Sequence, residues 1–364
     1  MKIVVTGTRG IPNILGGIET HCEEVFPRIA AQGYDITIIR RKNYTRDHLR
    51  EYKGVKLMDI HAPHVKALEA IVHTFKAVHA AKFKLKADVL HVHAVGPALV
   101  IPYAKLLGMK VVFTNHGPDY ERDKWSRLAK FMLRLGERIS VRFSDQIIVI
   151  SKVINNILRT RYGRKDAHLI YNGISPSVFQ EDSEYLRSLG VASRKYIFAM
   201  GRFVPEKNFD QLIRAFTAVE DKKEYRLVIA GDANFEDIHS IALKKLAREN
   251  DVVLAGFIRG DKLHTLLSNA SVFVLPSSHE GLPISLLEAM NYNLPVIVSD
   301  IPANQEVDLP KENYFRVNNE SDLAEKLQKH ILQGSQPALY DMKQYNWDEI
   351  ANQMIEVYQL VNKR

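Results

Sequence analysis

Two glutamates eight positions apart, Glu280 and Glu288, are the residues of this sequence whose type and spacing most directly suggest chemistry. A loop and the start of a helix are predicted between them, so their carboxylates are expected roughly 10 Å apart, given about 1.5 Å per helical residue. Glycosidases use carboxylate pairs about 5 to 9.5 Å apart, so this pair is too wide for that reaction. The spacing fits a ligand with a diphosphate in the middle and a polyol at each end. The alternative is two unrelated glutamates, one near a helix start and one on a solvated face.

The segment around this pair has the pattern of a strand, a loop and a helix. The apolar run 270–276 predicts a buried strand. Gly281 permits a sharp turn, and Pro283 suits the first position of a helix, so the helix is expected to begin near Leu282 or Pro283. Backbone N–H groups from about Ile284 to Leu286 then point out of the carboxyl edge of a sheet, where an anion is favoured. A phosphate is therefore expected between the two glutamates.

This segment resembles the paired-glutamate motif (Glu, seven residues, Glu) of the retaining nucleotide-sugar glycosyltransferases of family 4, which have the GT-B fold. The similarity includes Glu280-Gly281-Leu282-Pro283 and Leu287-Glu288-Ala289-Met290, and it extends over nearly the whole chain. The resemblance implies that Glu288 binds the ribose hydroxyls of a donor and that Glu280 binds the hydroxyls of its sugar. The first twenty residues also resemble rhamnosyltransferase-like enzymes of bacterial surface-polysaccharide assembly.

A pair of cations opens the second half of the chain. Gly201-Arg202-Phe203 follows an apolar strand, and Glu206-Lys207-Asn208 precedes a helix. Arg202 can bind phosphate oxygens bidentately while Lys207 acts as a point charge, so together they can stabilise a departing diphosphate. An ordinary surface ion pair is the alternative. The sequence resembles the family signature Gly-Arg-(Leu/Phe) followed by Glu-Lys-Asn. It contains no Asp-x-Asp, the usual metal clamp, so the two cations are expected to hold the diphosphate without a metal or cofactor.

Two features of the first half also point to a donor. Gly16 and Gly17 open a predicted helix, and their lack of side chains allows a close approach of backbone N–H groups to a phosphate. The spacing is not GxGxxG, so a nicotinamide site is less favoured, and a simple turn is the alternative. His116 lies at the carboxyl end of a predicted strand. The resemblance implies that the Gly-Gly loop reaches the donor diphosphate and that His116 faces the donor sugar. For His91 and His93, packed strand residues are the favoured interpretation.

The spacing and the resemblance together define the candidate site. The resemblance also implies that the loop 256–258 lines the base, largely with backbone groups. The expected catalytic residues are Arg202, Lys207, Glu280 and His116. The expected donor-binding residues are Gly16, Gly17, Gly201, Arg202, Lys207, Gly256, Phe257, Ile258, Glu280, Gly281, Leu282, Pro283, Ile284, Ser285 and Glu288.

Composition limits the class of protein. A chain of 364 residues with 46% hydrophobic and 25% charged residues is typical of a soluble protein of two domains. One cysteine, Cys22, excludes a disulfide framework and a cysteine zinc site, which favours a reducing cytoplasm. The apolar start, residues 1–7, predicts a strand rather than a signal peptide. The longest apolar stretch, 94–104, is about half a membrane span in length, so no transmembrane helix is expected.

Charge is distributed unevenly along the chain. Residues 1–180 contain 29 lysines and arginines against 15 aspartates and glutamates, and the remainder contains 21 against 27. Two stretches, 64–86 and 120–140, combine basic and apolar residues at helical spacing, including Lys66, Leu68 and Lys124. A surface that faces anionic lipid or an anionic acceptor is the functional interpretation, and a solvated basic domain is the alternative. No nucleic-acid-binding motif is recognisable.

Alternating strands and helices predict an α/β fold with two Rossmann-like, doubly wound parallel sheets. The resemblance implies the GT-B arrangement, in which these two domains face a cleft. The expected domains are 1–175, an acceptor-side domain, and 176–345, a donor-binding domain. A final helix in 346–364 is expected to cross back to the first domain.

The expected function is retaining, metal-independent transfer of a sugar from a nucleotide-diphosphate sugar to a saccharide or lipid-linked acceptor. The expected location is the cytoplasm, with possible peripheral contact on the inner face of the membrane. No carboxylate is clearly placed as a nucleophile, which favours attack on the face that the leaving group departs from. A GT-B-fold UDP-sugar epimerase and a non-catalytic sugar-nucleotide binding module are the alternatives. The sequence leaves the base, the sugar, the acceptor, the linkage and the oligomeric state open.

Overall fold

The computed structural model describes residues 1–45, 47–63, 69–122, 125–222, 224–334 and 336–363. The chain divides into two compact units, one formed by Met1–Gly173 with Tyr345–Arg364 and the other by Ile174–Gln344. The predicted limits of 1–175, 176–345 and 346–364 differ from these bounds by no more than two residues. Each unit contains its own parallel sheet, so the predicted pair of α/β sheets is confirmed.

The described residues of the first unit form an eight-stranded sheet with the order β3-β4-β2-β1-β5-β6-β7-β8. The strands are β1 (Lys2–Thr6), β2 (Asp35–Arg41), β3 (Glu51–Tyr52), β4 (Val55–Ile60), β5 (Val89–His93), β6 (Lys110–Asn115), β7 (Gln146–Val149) and β8 (His168–Leu169). All pairs are parallel except β3 with β4. The last of these strands in the sequence, β8, has only two residues.

A hairpin of β3 and β4 stands at one edge of this sheet, within the basic stretch 40–56. Lys53 and Gly54 have φ angles of 46° and 81°, the left-handed backbone that a two-residue hairpin turn requires. In β4, Val55 is buried while Lys56 is exposed, which is the alternation of a strand with one exposed face. The sequence contains this turn and this alternation, but the charged residues of the stretch made the strand pattern hard to recognise.

Five α-helices are described in the Met1–Gly173 part of the first unit. They are α1 (Gly17–Ala31), α2 (Glu69–His79), α3 (Ile101–Leu106), α4 (Arg127–Phe143) and α5 (Lys152–Tyr162). In the stretch 64–86, α2 continues into a π-helical segment, Ala80–Lys84, and Lys66 and Leu68 lie outside the described residues. In the stretch 120–140, α4 begins only after Ser126, whose hydroxyl accepts a hydrogen bond from the Ala129 N–H at 3.3 Å. Lys124 also lies outside the described residues.

The described residues of the second unit form a six-stranded parallel sheet with the order β11-β10-β9-β12-β13-β14. The strands are β9 (Tyr196–Met200), β10 (Arg226–Ala230), β11 (Val253–Gly256), β12 (Val272–Leu275), β13 (Val296–Ser299) and β14 (Tyr314–Phe315). The edge strand β14 pairs with β13 and closes this sheet. Two residues are too few to give a periodic signal, so β14 could not be predicted.

The helices of the second unit pack on both faces of this sheet. They are α6 (Ser183–Ser188), α7 (Phe209–Ala218), α8 (Ile238–Glu249), α9 (Asp261–Asn269), α10 (Ile284–Asn291), α11 (Pro302–Gln305) and α12 (Glu320–Gln333). Two buried clusters form the core: one includes Phe216 and Leu327, the other Leu286 and Leu267. The expected start of the glutamate helix at Leu282 or Pro283 is wrong. Pro283 is extended, with a ψ of 109°, and α10 begins at Ile284.

The final helix, α13 (Trp347–Lys363), packs against α1 and β6 of the first unit. Trp347 is buried, and its ring lies where Gly173 leaves room, because a methyl group at Gly173 would be 2.6 Å from it. Within the described ranges of the chain, no helix is both long enough and apolar enough to cross a bilayer.

Candidate active site

Lys207 and Glu280 form a close ion pair in the second unit. Their side chains are 14% and 13% exposed, and Lys207 Nζ lies 2.5 Å from Glu280 Oε1. Lys207 ends a 3₁₀ turn that follows β9, and Glu280 lies in the loop after β12. Because β9 and β12 are parallel neighbours, their carboxyl ends bring these two loops together at one edge of the sheet.

The charge of Glu280 is fixed by this pairing. Burial disfavours the ionised carboxyl, but the neighbouring Lys207 ammonium outweighs it, with a smaller contribution from His279, and holds the pKa of Glu280 below its ordinary value. Glu280 is therefore a carboxylate at neutral pH. Since its Oε1 binds Lys207, it can accept hydrogen bonds from hydroxyl groups without leaving a buried charge uncompensated.

The loop that contains Lys207 is tied to the loop that contains Glu280 by two hydrogen bonds. The Ser278 N–H donates to the Glu206 carbonyl at 2.9 Å. The amide of Asn208 donates to the Pro276 carbonyl at 3.1 Å. Asn208 is buried and has a left-handed backbone with a φ of 50°, a conformation that asparagine tolerates better than most residues. This contact gives the asparagine of the Glu-Lys-Asn sequence a structural role that the sequence did not reveal.

Gly201 makes room for the side chain of Lys207. Its φ is 159°, and a methyl group there would lie 3.2 Å from Lys207 Cε. Arg202 follows directly and is half-buried. Gly231, after β10, approaches the Gly201 carbonyl so closely that no side chain would fit. The structure thus brings Gly201, Lys207 and Glu280 together, with Arg202 next to them in the chain.

The start of α10 lies after the loop of Glu280. The N–H groups of Ile284 and Ser285 are in the first turn, where no intrahelical acceptor is available. The Leu286 N–H donates to the Pro283 carbonyl at 3.1 Å, so it is not among the free donors expected. Glu288 is half-buried, on the turn that follows.

The residues expected around the base lie elsewhere on the same sheet. Gly256 ends β11, which is separated from β12 by β10 and β9. Its carbonyl accepts a hydrogen bond from the Gly231 N–H at 2.7 Å. Phe257 is 44% exposed, and Ile258 packs partly against the core. Of the remaining expected residues, Gly281 is half-buried, while Leu282 and Pro283 are buried.

In the first unit, Gly16 and Gly17 stand at the beginning of α1 as predicted. A methyl group at Gly16 would collide with the carboxylate of Glu19, whereas one at Gly17 would meet nothing within 4 Å. Glu19 is buried and accepts hydrogen bonds from the Arg9 N–H at 2.9 Å and the Thr8 hydroxyl at 3.1 Å. Gly17 is therefore the more open of the two positions, and Glu19 fixes the loop before it.

His116 belongs to a cluster of four histidines that the sequence did not reveal as a unit. His93 Nδ1 lies 2.8 Å from His116 Nε2, and the rings of His21 and His116 meet edge to face. His91 contacts the Tyr358 hydroxyl at 2.6 Å. Burial, with neighbouring histidines, lowers the pKa of His93 and His116 well below the ordinary value, so both rings are neutral at pH 7. The alternation His91-Val92-His93 was the available signal, because it places both rings on one face of β5.

Because both rings are neutral, one hydrogen atom lies between His93 Nδ1 and His116 Nε2: one nitrogen donates the hydrogen bond and the other accepts it. If His93 Nδ1–H donates, His116 carries its own proton on Nδ1 and can donate it to an oxygen atom of a ligand. We therefore expect His93→Leu to lower kcat/KM about tenfold, the effect of one hydrogen bond, and His93→Asn to restore most of it, because its amide occupies the Nδ1 position. Steady-state kinetics with His79→Leu as the control tests this. Equal losses in the leucine and asparagine variants would contradict a positioning role.

Sequence profiles of two families match the chain. Residues 183–347 match "Glycosyl transferases group 1", and residues 15–178 match "Glycosyltransferase Family 4". The chain belongs to the family 4 glycosyltransferases. An uncharacterised glycosyltransferase of Methanocaldococcus jannaschii is 27% identical over 392 residues, which cover 99% of this chain and 98% of that protein. The O-antigen chain mannosyltransferase B of Escherichia coli is 27% identical over 189 residues, 48% of this chain and 49% of that protein.

The fold of this glycosyltransferase is also found in solved structures. The crystal structure of HepE from Anabaena in complex with UDP and glucose superimposes with a TM-score of 0.79. The two chains are 18% identical, and the match covers 99% of this chain and 100% of HepE. The predicted GT-B fold is thereby confirmed, and the profile matches confirm the predicted enzyme class.

Proposed function

We propose that this glycosyltransferase transfers a sugar, with retention of its anomeric configuration and without a divalent metal, from a nucleotide-diphosphate sugar to a saccharide or lipid-linked acceptor. The pathway would be polysaccharide or glycolipid biosynthesis. The observation that carries the proposal is the close ion pair of Lys207 and Glu280, with little exposure to water, beside Gly201 at the carboxyl edge of the sheet. HepE binds UDP and glucose, and the E. coli relative is named for an O-antigen chain, which supports both substrate classes.

In this mechanism Lys207 is the main electrostatic catalyst. Negative charge grows on the terminal phosphate as the bond between the anomeric carbon and the phosphate oxygen breaks. A fixed ammonium stabilises this charge more in the transition state than in the ground state, and the Arg202 guanidinium is proposed to assist it. The Ile284 and Ser285 N–H groups are proposed to bind the same diphosphate, and Glu280 and Glu288 to accept hydrogen bonds from the sugar and the ribose.

Retention is proposed to follow from attack on the same face from which the phosphate departs. The acceptor oxygen forms its bond to the anomeric carbon while the phosphate oxygen leaves and takes the acceptor's proton. Glu280 is engaged by Lys207, which disfavours it as a nucleophile. Intact-protein mass spectrometry during turnover is expected to show no added sugar. A covalent sugar adduct on any side chain would contradict this step.

A screen of UDP-, GDP-, ADP- and dTDP-sugars for release of the nucleoside diphosphate tests the proposed function. One donor is expected to give release that increases with a saccharide or lipid-linked acceptor and is unchanged by a chelator. Conversion of the donor to its epimer without acceptor would instead identify an epimerase. Binding without any release would identify a binding module, and loss of activity with the chelator would contradict metal independence.

The acceptor-side unit has a surface suited to peripheral membrane contact at the cytoplasmic face. Helix α4 exposes the apolar side chains of Leu128, Phe131 and Phe143 next to the basic Arg134 and Arg138. Such a face can bury apolar side chains among lipids while its cations meet anionic headgroups. We expect binding to phosphatidylglycerol vesicles that weakens with salt and is reduced in Arg134→Glu/Arg138→Glu, but not in the second-unit control Lys245→Glu. Binding that ignores salt would contradict the electrostatic basis.

A further inference from the structure

Arg41 is a buried cation with few partners. It ends β2 and is 9% exposed, yet within the described part of the chain its Nε has no hydrogen-bond partner. Its best contacts are the Gly7 carbonyl, at 3.5 Å from Nη2, and Glu69, at 3.9 Å from Nη1. Both distances are long for a charge-assisted hydrogen bond, which is about 2.7 to 2.9 Å. Burying a guanidinium with so few hydrogen bonds costs free energy of folding unless a further acceptor binds its remaining N–H groups.

The preceding residue shows what a complete set of partners looks like in this unit. Arg40 is fully buried and binds the carboxylate of Asp59 at 2.7 and 3.1 Å and that of Asp47 at 2.8 Å. It also donates to the carbonyls of Ile11 at 3.1 Å and Leu49 at 3.2 Å. Arg40 is therefore a structural ion-pair centre. Arg41, on the opposite face of the same strand, is not.

A second arginine lies beside Arg41. The Arg41 N–H donates to the Arg9 carbonyl at 2.9 Å, and the Arg9 guanidinium lies 5.3 Å from the centre of the Tyr44 ring. Arg9 contacts Glu19 at 3.2 Å, but its Nε also has no partner among the described residues. Burial, together with the repulsion of Arg9, lowers the pKa of Arg41. The two positively charged guanidinium groups therefore repel each other.

The acidic neighbours of this pair do not satisfy it. Glu69 accepts a hydrogen bond from the Tyr44 hydroxyl at 3.2 Å, and Glu19 is taken up by the loop before α1. Among the described residues, Glu69 Oε1 is a buried acceptor without a hydrogen-bond partner, and it faces two such donors, the Nε atoms of Arg9 and Arg41. An oxyanion supplies only acceptors and matches the planar donor fork of arginine, whereas a sugar hydroxyl would leave the charge uncompensated.

The position in the fold also suits a ligand. Arg41 ends β2, and Arg9 follows β1, so both lie at the carboxyl ends of two neighbouring parallel strands. Ligands of open α/β sheets bind at this edge. We propose that Arg41, with Arg9 beside it, binds a phosphate group of the acceptor. This inference rests on the proposed function and narrows its acceptor to a phosphate-bearing saccharide, as in a sugar linked to a lipid through phosphate.

Binding of inorganic pyrophosphate to the full chain, followed by isothermal titration calorimetry, tests the site. The Lys207→Ala background removes the main phosphate cation of the second unit, so that the first unit can be observed separately. In this background we expect binding to persist and Arg41→Met to weaken it about tenfold or more, the usual effect of a charged hydrogen bond. Lys42→Met, an exposed neighbour with the same change of charge, should alter it less than about twofold. Unchanged affinity in Arg41→Met would overturn the proposal.

Thermal unfolding separates a binding role from a structural one. Without pyrophosphate, Arg41→Met should unfold at or above the wild-type temperature, because it removes a poorly partnered charge. It should also lose the rise in Tm that pyrophosphate gives the wild type. Arg40→Met should unfold at a clearly lower temperature, since it leaves two aspartates unpaired. A comparable fall in Arg41→Met would show that Arg41 is structural and would overturn the proposal.

Two further arms identify the source of the anion. A saturating nucleoside diphosphate, chosen by the donor screen, should leave pyrophosphate binding at Arg41 intact, whereas its displacement would assign the site to the donor. If galacturonate bound more strongly than pyrophosphate, the ligand of this site would be a carboxylate rather than a phosphate, and the proposal would be overturned. Donor hydrolysis without acceptor should be unchanged in the control variant Lys42→Met. If hydrolysis is absent from the wild type while pyrophosphate still binds at Arg41, the proposed function fails and this site stands.

Discussion

Replacing Lys207 by alanine is expected to lower the kcat of sugar transfer about a hundredfold or more, the usual scale for removing one preorganised transition-state donor. The ammonium is held 2.5 Å from Glu280 in a site with little exposure to water, where its effect on a developing phosphate charge is strong. KM for the donor should change less than kcat, because the missing interaction is strongest in the transition state. Steady-state kinetics with the donor identified by the screen measures both constants.

A matched control for this variant is Lys244→Ala in the same unit. Lys244 also pairs with carboxylates, Asp232 and Glu236, but these partners are 43% and 64% exposed, so its loss should leave kcat within about twofold. Lys207→Arg should retain more activity than Lys207→Ala, because it keeps the charge although its geometry differs. A wild-type-like kcat in Lys207→Ala would remove the lysine from the mechanism.

The same variant has a pH signature in its stability. In the wild type, Lys207 lowers the pKa of Glu280, so the pair stabilises the fold above the ordinary carboxyl pKa and loses this contribution as the pH falls through the lowered value. In Lys207→Ala, burial is opposed only by weaker neighbours such as His279, so the pKa of Glu280 is expected to rise above its wild-type value and the neutral form becomes more favoured. The destabilisation by Lys207→Ala should therefore be largest near pH 7 and decrease toward pH 4, as measured by denaturant unfolding.

Replacing Glu288 by alanine is expected to lower kcat/KM for the donor about a hundredfold, mainly through KM. Two charge-assisted hydrogen bonds to the ribose hydroxyls, each contributing about 1.5 kcal/mol or more, account for this size. Glu288 is half-buried on α10, one turn after the N–H groups of Ile284 and Ser285, so loss of its carboxylate should leave the phosphate end of the site intact. Donor titrations monitored by calorimetry, together with kinetics, measure the effect.

Glu249→Ala is the control for this change. Glu249 belongs to the surface helix α8 and pairs loosely with Lys245 at 3.7 Å, so its removal should have almost no effect on donor affinity. Glu288→Gln should give an intermediate loss, since an amide keeps one acceptor atom but no charge. If Glu288→Ala binds the donor as tightly as the wild type, the ribose has been placed on the wrong residue.

The sequence was sufficient for the sheets of both units because most central strands are continuous apolar runs between turn residues. It was not sufficient for β3 or β14, which have two residues each and depend on pairing with a neighbouring strand for their conformation. The start of α10 was misplaced for a local reason. Pro283 is compatible with a first helical position, but its extended ψ makes it the residue before the helix.

The site shows a similar division between local and long-range information. The residue types of Lys207 and Glu280 could be selected from the sequence, but their contact could not, because they are 73 residues apart and meet only through the pairing of β9 with β12. The sequence paired Lys207 with Arg202 instead. Arg41 was missed because it looks like any basic residue after a strand. Its significance lies in the scarcity of acceptors around it, which only a three-dimensional arrangement can show.

The two hydrogen bonds that join the loop of Lys207 to the loop of Glu280 have a consequence for how a substrate is received. Since one partner in each bond is a main-chain carbonyl, the spacing of the charges is set by the backbone and persists when surface side chains vary. Little conformational entropy remains to be lost there when a substrate arrives. Divergent relatives could therefore change the sugar they recognise while keeping the same rigid pair of loops for binding the leaving group.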